Sequence, residues 1–207
     1  MWLRSGSRSH LFYVCFLSLF MNKTAIRKAA MARRNALPDE ELQELTQQLL
    51  AHFSQFDFSE ISVIHIFIPI EKKKEPNTFL FIDWLQKNHP HLKILVPRAD
   101  FNTALMTHHV YKDLQGLEKN IFDILEPENT NAHEGQIDLV LIPLLAFDER
   151  GYRVGYGKGF YDRFLQNIST KKVGLSLFPP VDDIDDTDEN DVRMDLCLTP
   201  EGVYVFN

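Results

Sequence analysis

The sequence predicts an α/β fold, a single domain built on a largely parallel sheet flanked by helices. Three observations predict it. Short, β-branched apolar runs such as "EISVIHIFIPI" and "IDLVLIPLL" alternate with segments of helical period. That alternation continues from about Asn22 to the C-terminus with no internal repeat and no long Gly/Ser linker. The 207 residues, 44% of them hydrophobic, are enough for one domain with a sizeable core.

The first twenty residues stand apart. "MWLRSGSRSHLFYVCFLSLF" carries Arg4 and Arg8 ahead of an apolar run from Leu11 to Phe20, like the start of a signal peptide. The run is short of the ~20 residues needed to span a bilayer, and no small-residue cleavage site follows it. The sequence "MNKTAIRK" opens a helix at once. The expectation is therefore that residues 1–21 are a non-native leader or a mis-called start, with translation beginning at Met21, a signal peptide being the alternative, and that the domain covers 22–207.

Along the domain, Asn22 to Leu37 has helical spacing, with Ala25, Ile26, Ala29 and Ala36 on one broad face and Lys23, Arg27 and Arg34 on a basic stripe beside it. Pro38 ends this helix, and "PDEE" places acid in the first turn of the next, where the helix dipole favours it. Leu42, Leu45, Leu49 and Phe53 give that second helix an apolar stripe. "EISVIHIFIPI" follows as a strand, "TFLFIDWLQKN" as a helix and "LKILVPR" as a second buried strand. Then come "ALMTHHVY", the strand "IDLVLIPLL", a helix from about Phe160 to Ile168, the strand "KKVGLSLF", and two last runs, "DLCLT" and "VYVF".

Composition excludes several classes. A net charge of −7 and a pI near 5.6 argue against a general nucleic-acid binder, which needs a broad basic face. Cys15 and Cys197 have no metal-ligand spacing and supply no disulfide framework, so the chain reads as intracellular. The eight histidines form no zinc pattern, since His108 and His109 are neighbours that point to opposite faces of a strand.

The chemistry concentrates in "GYRVGYGKGFYDRF", Gly151 to Phe164. It joins a buried strand to a helix, which is where ligands bind in α/β sheets. Its glycines permit positive φ and close backbone approach, and Lys158 and Arg153 add positive charge. The spacing matches neither common phosphate loop. Lys158 is followed by Gly159 rather than Ser or Thr, and the run is GxGxG rather than GxGxxG. On these residues alone the segment is either a phosphate cradle or a structural turn, and Asp162 either caps the helix or holds Mg²⁺. The acidic stretch from Asp182 to Asp195 lacks the EF-hand spacing and glycine. Within it, Asp195 stands out because it adjoins an apolar strand, and strand ends face the crevice in such folds.

With these residues in view, "DLVLIPLLAFDERGYRVGYGKGFYDRFL" resembles the strand and the P-x-x-x-F-D-x-x-G-x-R-x-G-x-G-x-G-[YF]-Y-D signature of the 5-formyltetrahydrofolate cyclo-ligase family. Supporting matches follow in order: "KTAIR", "EPNT", "VPR" and "FDILEPE". The resemblance runs from about Asn22 to the C-terminus and implies a Rossmann-like three-layer architecture. It implies ATP- and Mg²⁺-dependent closure of 5-formyltetrahydrofolate to 5,10-methenyltetrahydrofolate with release of ADP and phosphate. In that reaction the formyl oxygen attacks the γ-phosphoryl group, N10 closes the ring and phosphate leaves. Residue by residue, it places Lys23, Arg27 and the run Gly155, Tyr156, Gly157, Lys158, Gly159, Phe160, Tyr161 and Asp162 on ATP, with Lys158 and Arg153 as catalytic charges. It places Glu75, Ile70 and Arg98 at the folate, with Phe160 lining the same pocket, and Asp162 and Asp195 on Mg²⁺. Arg98 would meet either an anionic substrate group or a phosphate, and a strand-end salt bridge is the competing reading. Leu144 and Ala146 replace frequent glycines, Tyr156 stands where Arg is often found, and Phe160 replaces a common Tyr. The resemblance implies a cytoplasmic, monomeric enzyme without nucleic-acid or membrane partners. Two alternatives remain at this level: a non-catalytic nucleotide- or RNA-binding relative, and a small kinase-like phosphotransferase.

Overall fold

A computed structural model describes residues 22–128 and 131–206; the leader-like segment lies outside the described residues. In chain order the helices are α1 (Lys23–Asn35), α2 (Asp39–Phe53), α3 (Phe79–Asn88) and α4 (Phe160–Leu165). The central sheet is built from β1 (Val63–His65), β2 (Lys93–Asp100), β3 (Leu105–Val110), β6 (Leu139–Pro143), β9 (Lys171–Leu175), β10 (Leu196–Thr199) and β11 (Gly202–Val205). Two small hairpins complete the set: β4 (Leu117–Lys119) with β5 (Leu125–Pro127), and β7 (Ala146–Phe147) with β8 (Arg153–Val154).

The seven strands lie in the order β11-β10-β9-β6-β1-β2-β3. The five inner strands pair in parallel, and β3 and β11 close the edges antiparallel. From β1 the chain moves outward to β2, whereas from its neighbour β6 it moves the other way to β9. The crevice above the carboxyl ends of β1 and β6 is therefore the topological switch point, the place where such sheets bind ligands.

Alternation along the strands fills two layers. Ile64, Ile94, Leu141, Val173 and Leu198 face α2 and α3, where Phe53 meets Phe58 and Phe81 with ring centroids 5.2 Å apart. Leu95, Val140, Ile142 and Cys197 face the opposite side, with Leu165 of α4 and Met194. A third cluster seats α1, through Ile26 and Ala30, on Leu145, Ala146 and Val154. Among the described residues no helix is long and apolar enough to cross a membrane.

The helical face expected for α1 is turned. Ala25, Ala29 and Ala36 are exposed, and the buried positions are Ile26, Ala30 and Arg34. The expected first strand is also shorter, because the Ile66 amide donates to Leu95 O at 2.9 Å and the chain then leaves the ladder toward the crevice. The β4–β5 and β7–β8 hairpins were not foreseen, since neither belongs to the alternating strand and helix series.

Candidate active site

The loop after β6 and the segment after β1 meet over the switch point and enclose a cavity of about 910 Å³, within the ~300–1,000 Å³ usual for ligand sites. Asp148 frames the loop. Its buried carboxylate accepts from the Arg150, Tyr152 and Ile184 amides at 3.1, 3.0 and 3.2 Å and from the Arg150 guanidinium at 2.6 Å. This explains the "FDERG" part of the signature: one carboxylate shapes the turn and anchors the acidic loop to it.

Past Tyr152 the glycines take their special conformations. Gly157 has φ +81° and Gly159, which precedes α4, has φ +69°. Arg27 of α1 clamps this backbone, with its Nε donating to Gly155 O at 2.8 Å and its guanidinium against Gly157. Arg153 is buried by the loop and donates to the Asp162 carboxylate at 2.7 Å and to the Val192 carbonyl. Burial pulls its guanidinium below its usual range, opposed by the Asp162 and Asp191 charges. Lys158 is exposed at the cavity.

The far wall carries Ile70 and Glu75. Glu75 is 5% exposed; its Oε2 accepts the Ile70 amide at 2.8 Å and its Oε1 the Tyr156 hydroxyl at 2.9 Å. Burial raises its pKa, opposed by the Ile70 amide, Arg34, Tyr156 and Lys73. Phe160 also lines the cavity, 5.5 Å from Phe101 between ring centroids. Tyr161 lines it too, with its buried hydroxyl pushed well up by desolvation.

The structure therefore brings together Lys23, Arg27, Ile70, Glu75, Arg153 and the whole run from Gly155 to Asp162. Two expected residues fall elsewhere. Asp195 precedes β10 at the amino end of the sheet, where its carboxylate accepts the Lys172 amide at 2.7 Å and pairs with Lys172 Nζ at 3.2 Å. The strand-end rule applies to carboxyl ends, and Asp195 sits at the opposite one. Arg98 alternates away from Pro97 and Ala99, which line the cavity, and pairs with Glu126 at 3.6 Å. Asp191 and Glu126 were missed, and Arg34 was read only as part of the basic stripe with Lys23 and Arg27. Asp191 reaches the cavity and pairs with Lys23, and Asp186 accepts the Lys23 amide at 2.6 Å. Its signal was present in the acidic loop, but many neighbouring carboxylates made it indistinct.

Among the described residues no group of three or more His, Cys, Asp or Glu gathers as a metal cage. Asp162 and Asp191, both at the cavity, suit Mg²⁺, which takes one or two carboxylates alongside substrate phosphates. Asp195 does not fit that role.

A switch-point cavity with a glycine-rich, cation-bordered loop on one wall and a buried carboxylate on the other defines an α/β protein made to hold an anionic ligand beside a polar one. The match to known proteins is specific. Residues 20–200 match the model of the 5-formyltetrahydrofolate cyclo-ligase family, and the chain belongs to that family. The 5-formyltetrahydrofolate cyclo-ligase of Mycoplasma pneumoniae is 31% identical over 87% of this chain and all of its own length. The Escherichia coli K12 protein of the same name is 28% identical over 83% of this chain and 97% of its own. Among solved structures, a 5,10-methenyltetrahydrofolate synthetase from Mycoplasma pneumoniae superposes with a TM-score of 0.65 at 26% identity, covering 87% of this chain and 99% of its own. The Aquifex aeolicus 5,10-methenyltetrahydrofolate synthetase shares the fold at a TM-score of 0.71 and 24% identity, over 90% of this chain and 94% of its own.

Proposed function

We propose that the protein converts 5-formyltetrahydrofolate to 5,10-methenyltetrahydrofolate with consumption of ATP and release of ADP and phosphate, in the cytoplasm. One observation carries the reading beyond family membership. A single cavity holds the glycine loop and Glu75 within one hydrogen bond of each other, through the Tyr156 hydroxyl at 2.9 Å from Glu75 Oε1. Two substrates that must exchange a phosphoryl group need that adjacency.

The formyl oxygen is a poor leaving group until it is phosphorylated, so ATP supplies the activation and the protein mainly positions the reactants. Glu75 accepts N–H donors of the pterin, with its two oxygens oriented by Ile70 and Tyr156. Ile70 and Phe160 supply apolar walls. Lys23, Arg27 and Lys158 border the phosphates, and the positive-φ backbone at Gly157 and Gly159 lets those phosphates approach closely. Arg153 holds Asp162 in place. Asp162 and Asp191 would hold Mg²⁺, which when bound neutralises phosphate charge.

The test is direct. Purified protein is mixed with MgATP and 5-formyltetrahydrofolate, and the near-ultraviolet band of the methenyl product is followed. The band is expected to grow with enzyme concentration and to require ATP; no growth at high enzyme concentration would falsify the reading.

A further inference from the structure

Helix α1 buries an arginine. Arg34 is 4% exposed and lies on the face that also carries Ile26 and Ala30. A buried guanidinium is costly unless its donors are met. Arg34 Nη2 donates to the Tyr156 hydroxyl oxygen at 2.9 Å, and Nη1 approaches Leu144 O at 3.4 Å. The Tyr156 hydroxyl donates in turn to Glu75 Oε1 at 2.9 Å.

The direction of this chain is fixed by chemistry. Arginine only donates, so the phenol oxygen accepts from Arg34 and its one hydrogen is left for Glu75. Hydrogen bonds in series polarise one another, and the guanidinium charge thereby strengthens the donor offered to the carboxylate. The phenol stays protonated, since burial and the Glu75 charge push its pKa far up. The chain joins three separate parts of the fold: α1, the segment after β1, and the glycine loop between Gly155 and Gly157.

Resting on the functional reading above, in which Glu75 receives the pterin, we propose that Tyr156, held by Arg34, is a positioning residue that orients the Glu75 carboxylate for folate. The side chain that stands where the family often has Arg reaches Glu75 and serves the folate side of the cavity. Its own backbone meanwhile belongs to the nucleotide loop, so the geometry of the folate acceptor is tied to the conformation of that loop. The charged and titratable groups facing Glu75 are Arg34 from α1, Lys73 from the turn before it, Tyr156 from the loop and Tyr161 from α4.

Tyr156→Phe removes the hydroxyl and keeps the ring. Losing a hydrogen bond to a charged group lowers kcat/KM for 5-formyltetrahydrofolate by about tenfold or more, while KM for ATP is unchanged. Glu75 loses a donor that favours its ionised form, so the acid limb of the folate kcat/KM profile moves to higher pH. Arg34→Met moves it the same way. An independent readout is the carboxyl ¹³C titration of Glu75 in glutamate-labelled protein, assigned with Glu75→Gln; Glu75 is expected to titrate at higher pH in Tyr156→Phe than in wild type. An unmoved titration overturns the positioning role, whatever happens to turnover. Equal losses toward ATP and folate with that titration unmoved overturn it too, because they mark a general loop defect. If wild type forms no methenyl product, the functional reading falls, and the titration still decides whether Tyr156 sets Glu75.

Discussion

Arg153 and Asp162 are joined at 2.7 Å across the base of the glycine loop, with the guanidinium side chain 6% exposed and the carboxylate side chain 30% exposed. The pair closes the loop from β8 to the first turn of α4. Arg153→Met removes a charge-assisted hydrogen bond to a part-exposed carboxylate, a loss of about 1.5–3 kcal/mol. Urea denaturation is expected to show that loss, with a lower midpoint than wild type.

Lys158 differs from Arg153 in being exposed at the cavity. Lys158→Ala should leave the urea midpoint close to wild type, since exposed substitutions of this kind cost within about 0.5 kcal/mol. Turnover and ATP affinity should fall together. Intact affinity and turnover in a folded variant would remove Lys158 from the phosphate site.

The three carboxylates separate cleanly in a magnesium titration. Asp162→Asn and Asp191→Asn should each raise the Mg²⁺ concentration needed for half-maximal turnover. Asp195→Asn should leave it unchanged, because that carboxylate pairs with Lys172 at the other end of the sheet. A shift in Asp195→Asn alone would reverse the assignment.

Two loop glycines make an internal control. At Gly157, φ is +81° and a Cβ would lie 3.2 Å from the Arg27 guanidinium. Gly157→Ala therefore meets both backbone strain, roughly 1–2 kcal/mol, and a displaced Arg27. A Cβ at Gly155 meets nothing within 4 Å. ATP affinity measured by calorimetry should drop in Gly157→Ala and hold in Gly155→Ala.

Stability should depend on pH through two histidines packed under α4. Among the described residues the ring nitrogens of His65 have no hydrogen-bond partner, and its centroid is 5.0 Å from that of His108. Burial, with the nearby His109 and His133, pushes His108 down to about 4, and burial beside His108 pushes His65 well down. The unfolded chain holds more protons than the folded one between pH 4 and the ordinary value of 6.5. The stabilisation is complete above pH 6.5 and is lost as pH falls toward 4. Urea midpoints measured across that range should rise with pH, and His108→Gln should flatten the slope.

The strands and the glycine loop were legible because period and spacing are local properties. The parallel sheet and the seat of the loop follow from them, whereas Glu75 was placed beside residues 155–162 only by the resemblance of "EPNT" to the family. What the sequence hid depends on direction in space. Asp195 and Asp191 are four residues apart in one acidic stretch, yet they serve opposite ends of the sheet, and strand polarity alone separates them. The buried face of α1 was misread because hydrophobicity pointed to alanines, whereas the fold buries Arg34 to reach Tyr156. The β4–β5 hairpin escaped because "LEKNIFDILEP" mixes charge with apolar residues and pairs outside the main sheet. Asp148 was visible as a motif letter, but its five hydrogen bonds from Arg150, Tyr152 and Ile184 were not.

The pairing of Lys23 with Asp191 bears on biosynthesis. The cavity takes its first cations from α1 and its last carboxylates from the acidic loop, 168 residues later. On the ribosome, a nascent chain can pack α2, α3 and the first strands early. It cannot assemble the nucleotide side of the cavity until Asp191 has left the exit tunnel. Ligand binding therefore cannot help the early part of the chain to fold, and any protection that substrate gives against proteolysis begins only once the acidic loop has emerged.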